Sequence, residues 1–151
     1  MFTNSDEVRE LLQLASSSIS FIDSIIESSE ESWEICAFEK NITQIFFNKE
    51  RASLEFYAEM GKPDEENEIY IFKTLLTLNF LLKKDIPLRI AMNEGDEELV
   101  CLSEFNEINL GLFVIFLENF LIHVAAIIEF IANSNKLEIH SRLVESIGIK
   151  V

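Results

Sequence analysis

Apolar residues near the start of the chain recur in steps of three and four: Val8, Leu11, Leu12, Ala15, Ile19, Ile22 and Ile26. That spacing lines one face of a helix and predicts an amphipathic helix from Asp6 to about Ile26, with Asn4, Ser5 or Asp6 available as its cap. Its far end stays open, because Ser16, Ser17 and Ser18 weaken the middle and SISFI also fits an extended chain. The run Glu27 to Ser32, ESSEES, reads as a polar, acidic loop. Three strands are predicted next, Trp33–Phe38, Ile42–Asn48 and Ala52–Met60, joined by the short polar turns Glu39-Lys40-Asn41 and Lys49-Glu50-Arg51. In the third, Leu54, Phe56, Ala58 and Met60 share one face and Glu55, Tyr57 and Glu59 the other, which marks one covered and one wetter side.

Gly61-Lys62-Pro63 ends this meander, and Asp64 is placed to cap the following helix, with Glu65, Glu66 and Glu68 at its positive end. The apolar positions of that helix, Ile69, Phe72, Leu75, Leu76, Leu78, Phe80 and Leu82, surround most of its circumference. Such a helix needs partners on two sides, here the sheet and a second subunit. Lys83 and Lys84 suit its last turn and Pro87 stops it. Leu88, Ile90 and Met92 alternate with Arg89, Ala91 and Asn93 as a fourth strand; Asn93-Glu94-Gly95-Asp96 turns the chain, and Leu99–Phe105 returns as a fifth. A final helix runs from a cap at Asn109 to about Asn133. The tail, residues 135–151, has only a weak pattern and takes no assignment. The order is α-βββ-α-ββ-α: a single α+β domain over residues 1–151, with a twisted antiparallel sheet covered by helices.

Composition narrows the function. With 12 Lys and Arg against 27 Asp and Glu, the net charge of −15 repels phosphate backbones, and no basic stripe offsets it. Nucleic acid is therefore excluded as a partner. Hydrophobic residues make up 48% of the chain, including 13 Phe, so a packed core is expected rather than disorder. Cys36 and Cys101 fall in strands, and two free thiols in a reducing cytoplasm are expected. MFTNSDEVRE lacks the basic start and apolar core of a signal peptide. Leu110–Ile131 is long enough to span a bilayer, but Glu118, Asn119, His123 and Glu129 interrupt it. Glu118 and Glu129, eleven residues apart, return to nearly the same helix face. A helix packed on the sheet, not inserted in a membrane, is expected.

Catalytic and metal chemistry finds little support. His123 and His140 have no Cys or carboxylate at helical ligand spacing from both, so no metal site is expected. Glu118 and Glu129 lie ~16 Å apart along a helix at its rise per residue, too far for an acid–base pair. Ser16–Ser18 lacks a nucleophile elbow, and four glycines leave no phosphate loop. Asp96-Glu97-Glu98 lacks calcium-loop spacing and reads as a wet hairpin tip. Phe46 and Phe47 adjoin in one strand, so one of them faces away from the core, a position suited to peptide binding. A small enzyme with a motif-free active site would need a deep pocket with convergent polar groups.

The succession of Leu54, Phe56, Ala58 and Met60-Gly61-x-Pro63, then Leu75-Leu76-x-Leu78-Asn79-Phe80, then the Leu88–Phe105 hairpin and a long last helix, resembles the class I, CesT-like chaperones of type III secretion. The resemblance covers about Trp33 to Ile131 and reaches the first helix more weakly. It departs at ESSEES, where a glycine-containing link is usual, and at Ala91-Met92-Asn93, where many members carry Leu-Asp. The resemblance implies a cytoplasmic, ATP-independent and cofactor-free homodimer. Its partners would be the N-terminal segment of a secreted effector, kept soluble and extended, and the export ATPase that takes it over. It implies an effector surface, placed here on Leu11, Leu12, Ala15, Ile19, Ile45, Phe47, Leu54 and Phe56. It also implies a dimer contact, placed on Phe72, Leu76, Phe80, Leu88 and Ile90. A same-fold adaptor or regulator of secretion that exports nothing is the alternative reading.

Overall fold

The computed structural model describes residues 1–82 and 87–146, with side chains described through 81 and from 87 to 136. Lys83, Lys84 and the last residues of the tail lie outside that range, as does the side chain of His140. The elements are α1 (Ser5–Ser18), β1 (Ile22–Ser29), β2 (Ser32–Ala37), β3 (Asn41–Asn48), β4 (Ser53–Gly61), α2 (Glu68–Leu82), β5 (Leu88–Met92), β6 (Leu99–Phe105) and α3 (Leu110–Ser146). All strands form one antiparallel sheet in the order β1-β2-β3-β4-β6-β5. The α+β class holds, with one strand more than the pattern predicts.

That strand is β1. The first helix stops at Ser18, where three successive serine hydroxyls turn back onto the carbonyls of Gln13 and Leu14, bonds that compete with helix propagation. The chain then extends and pairs with β2, so ESSEES is not a loop but two strand ends around a two-residue turn. β1 escapes an alternation test because its register shifts twice, between Ile22 and Ser24 and between Glu27 and Ser29. It is also an edge strand with little to bury. Polar ties hold it: Arg9 of α1 donates to Glu27 at 2.7 and 2.9 Å, and the Ser29 and Ser32 hydroxyls meet at 2.6 Å.

The helix starts illustrate local physics. Asn4 caps α1 by accepting from the Glu7 N–H at 3.0 Å, while the Glu7 carboxylate accepts from the Thr3 N–H. Asn109 caps α3 by accepting from the Leu112 N–H. At α2 the predicted cap is displaced by one turn. Asp64 uses its carbonyl to close a turn with the Asn67 N–H, and buried Asn67 directly precedes the helix, tied through its side chain to the Ser134 carbonyl of α3. α3 itself continues past Asn133 to Ser146.

Both α1 and α3 lie on the same face of the sheet. That face carries Trp33, Ile45 and Phe56 in one cross-strand row and Ile35, Thr43, Ala58 and Cys101 in the next. Phe56 contacts the rings of Phe113, Phe116 and Phe120, with centroids at 6.3, 5.0 and 5.5 Å. These rings join sheet to helix in the centre of the core, so the long apolar helix packs on the sheet as expected. Phe2, which no pattern marks, is also buried there, 6.5 Å from the Phe105 ring. Both cysteines are free thiols, and burial pushes the Cys101 thiol up to about 12.

Candidate functional site: the bare sheet face and the outer side of the central helix

The strands present alternate residues to two faces, and the helices α1 and α3 cover one of them. The other face carries Glu34 and Cys36 from β2, Ile42, Gln44 and Phe46 from β3, Glu55, Tyr57 and Glu59 from β4, and Leu102 and Glu104 from β6. Within it Ile42 is 49% exposed and Phe46 41%, and Ile26 of β1 adds an exposed apolar side chain opposite Glu34. At the end of the face Phe38 stacks on Phe21, centroids 4.4 Å apart. The turn that presents Phe38 runs from Ala37 to Lys40 and places both of its central residues, Phe38 and Glu39, at positive φ (52° and 66°). A left-handed Phe is costly; here the ring stack and an Asp23 carboxylate accepting from the Glu39 N–H at 2.6 Å hold it.

This placement corrects the sequence assignment of the effector surface. Leu11, Leu12, Ala15, Ile19, Ile45, Phe47, Leu54 and Phe56 are all buried in the core. Alternation tells which residues share a face but not which face the helices cover, and an error of one residue reverses it. The Phe46–Phe47 pair splits as expected, with Phe47 buried and Phe46 outward.

The face is also acidic. Glu55 accepts from Asn48 at 2.9 Å and Glu104 lies 3.6 Å from Arg51. At its hairpin end Glu59, Asp96 and Glu98 bring carboxylate oxygens within 4.8 Å of one another. A hydrogen bond between Glu98 and Glu59, with partial burial and the charge of Asp96, holds the Glu98 carboxyl above its ordinary range. Burial, followed by the charge of Glu59, raises Tyr57. Apolar anchors set among carboxylates suit an apolar or basic polypeptide segment.

The two sheet edges differ. At the β5 edge the Asn79 side chain of α2 occupies both outward backbone groups of Ile90. At the other end β1 leaves its outer edge open to a further strand.

α2 exposes a second apolar surface. Leu76 is 68% and Phe80 74% exposed, with Ile69 on the same side two and three turns earlier. Phe72 and Ile90 are half-buried between α2 and β5, which line a hollow of about 210 Å³. Leu88, the remaining residue assigned to the dimer contact, is instead buried, paired with Ser103 in the core-facing row.

The fold has solved relatives. A chain of the ExsC-ExsE complex superposes with a TM-score of 0.65 over 87% of this chain and 97% of that one, at 19% identity. A chain of the HopA1-SchA chaperone-effector complex gives a TM-score of 0.64 over 83% and 95%, at 9% identity. YbjN from E. coli gives 0.51 over 90% and 92%, at 12% identity. No family model and no curated relative matches the sequence. The chain thus has the α+β secretion-chaperone fold that its resemblance implies.

Proposed function

We propose that this protein is a cytoplasmic type III secretion chaperone. As a homodimer it would hold the N-terminal segment of a secreted effector extended and soluble, without ATP, until the export ATPase takes it. The observation that carries this reading is the pairing of an uncovered, apolar-studded acidic sheet face with one open strand edge, on a fold shared with a chaperone-effector complex. A client segment would add along the outer edge of β1 and seat apolar side chains against Ile26, Phe38, Ile42 and Phe46. Main-chain hydrogen bonds would supply affinity there and side-chain pockets selectivity. Ordering a flexible segment costs entropy, which a wide apolar contact offsets.

The self-interface in this reading is Leu76 and Phe80 with Phe72 and Ile90. A stripe of large exposed side chains of this kind matches the aromatic-rich centre of stable interfaces. Light scattering tests it: the wild type should have twice the 17.4 kDa chain mass, and Leu76→Glu with Phe80→Glu should have the chain mass alone. Co-expression with the N-terminal segment of an effector from the same bacterium tests the client. A soluble complex that Phe46→Ser and Ile42→Ser weaken is expected; failure to bind any such segment sinks the chaperone reading.

A same-fold adaptor or regulator is the second reading, favoured by the shared fold of YbjN, described as a candidate transcription regulator. It predicts a partner protein that is not exported with the chain's help and no binding of an effector N-terminal segment.

A further inference from the structure

α2 has a third side, about 100° round from Leu76 and Phe80, that faces α3 across a groove of about 640 Å³. Tyr70, Thr77 and Leu81 line one wall and His123, Ala126 and Phe130 the other. Tyr70 and Phe130 close one end, ring centroids 6.1 Å apart. A mostly apolar hollow of this size between two helices falls within the ~300–1,000 Å³ of small-molecule pockets.

Its walls suit a hydrocarbon better than a polypeptide. Thr74 and Thr77 already donate to the carbonyls of Tyr70 and Lys73, each at 2.9 Å, and His123 Nδ1 donates to the Asn119 carbonyl at 2.6 Å. An extended peptide would bury backbone N–H and C=O groups against walls with few groups free to pair them. A helix laid along the groove would run into the Tyr70–Phe130 pair. A hydrocarbon tail has no backbone to satisfy, and a ligand can end at that pair.

Charge fixes what stands at its end. Among the described residues Lys73 is the one charged side chain in the lining, and no carboxylate pairs with it. The chain has 27 acidic residues against 12 basic ones, yet this cation beside an apolar groove is left without an ion pair. Lys73 lies one turn from Tyr70, towards the closed end, and the wall runs on from it to Leu81 for ~12 Å at helical rise. An ammonium at one end of an apolar trough matches an anionic head on an unbranched apolar tail. The net charge of −15 repels an anionic bilayer, so the matching ligand is a free amphiphile and not a membrane surface.

We propose that the α2–α3 groove binds a free medium-chain fatty acid, at a site separate from the self-interface and from the bare sheet face. The carboxylate pairs with Lys73, and the tail lies between the two walls beside Ala126 and Leu81.

Titration calorimetry on the full chain tests this with straight-chain carboxylates and alcohols. Decanoate should bind at one site per chain, and each methylene removed should weaken the carboxylate about fourfold. An apolar groove alone prefers an uncharged alcohol; here octanoate should bind about fivefold more tightly than octanol. Lys73→Met should abolish that preference while circular dichroism stays like the wild type. Ala126→Phe and, from the opposite wall, Thr77→Phe should each weaken decanoate at least tenfold, and Phe46→Ser on the bare sheet face should leave it unchanged. The proposal is overturned if decanoate does not bind or adsorbs at many sites per chain, if octanol binds as tightly as octanoate, or if Lys73→Met keeps the preference. It is also overturned if both Phe variants bind decanoate like the wild type, or if phosphatidylglycerol vesicles or a Glu-flanked Leu-heptad helix bind the groove in place of decanoate.

Discussion

The Asn79 side chain grips both outward backbone groups of Ile90, accepting from its N–H at 2.7 Å and donating to its carbonyl at 2.9 Å. One amide thus does for the β5 edge what a neighbouring strand would do, and it fixes α2 against the sheet. This gives the asparagine of the Leu75-Leu76-x-Leu78-Asn79-Phe80 pattern a physical role. It also leaves β1 as the edge with outward groups open to a further strand. Asn79→Leu keeps similar bulk but strands two partly buried backbone groups, and should cost about 1–3 kcal/mol in urea unfolding. Asn79→Asp retains the acceptor for the Ile90 N–H and should cost less.

Phe46 and Phe47 separate binding from stability. Phe47→Ala opens a cavity in the core and should destabilise by about 3–5 kcal/mol. Phe46→Ser alters only the bare face and should change unfolding free energy by no more than about 0.5 kcal/mol. Client affinity should fall for Phe46→Ser although the fold is intact. Equal stability losses for the two would show that Phe46 is core.

The turn at Phe38 and Glu39 holds two non-glycine residues at positive φ. Glu39→Gly relieves one of them and keeps the Asp23 bond to the backbone N–H. It should raise stability by roughly 0.5–1 kcal/mol, read from the denaturation midpoint. A loss would mean that the Glu39 side chain contributes more than the left-handed backbone costs.

Glu98 makes stability depend on pH in a stated direction. Its folded-state carboxyl is raised by Glu59, so the native protein takes up that proton before the unfolded chain does. At pH above the raised value the ionised pair works against folding. As pH falls through the folded value towards the unfolded one, that penalty disappears. Glu98→Gln should therefore be stabilising near neutrality, with the advantage shrinking as pH drops into the carboxylate range. An advantage constant with pH would point to something other than the shared proton.

The sequence made some elements legible and others not, for definite reasons. β3 and β4 read correctly because one face is fully buried and the other wet, which gives clean alternation. α3 read as a core helix because Glu118 and Glu129 share one edge. β1 was illegible because an edge strand with two register shifts and serine-rich ends has no alternation to show. Which sheet face the helices cover was not legible: Ile45 and Phe47 look as exposable as Ile42 and Phe46 until α1 and α3 are placed. Leu76 and Phe80 were legible from an apolar arc too wide for one sheet to cover. Leu88 was not, because its neighbour Ser103 belongs to a strand fifteen residues away.

Photo-crosslinking tests the whole account most directly. p-Benzoylphenylalanine is placed at Phe46 or at Phe80 in the secretion-competent native bacterium, and the adducts are identified by mass spectrometry. Position 46 should join the N-terminal segment of a secreted protein, and position 80 a second copy of this chain. Position 46 joining only a second copy, or a folded domain of a protein that is never secreted, would contradict it.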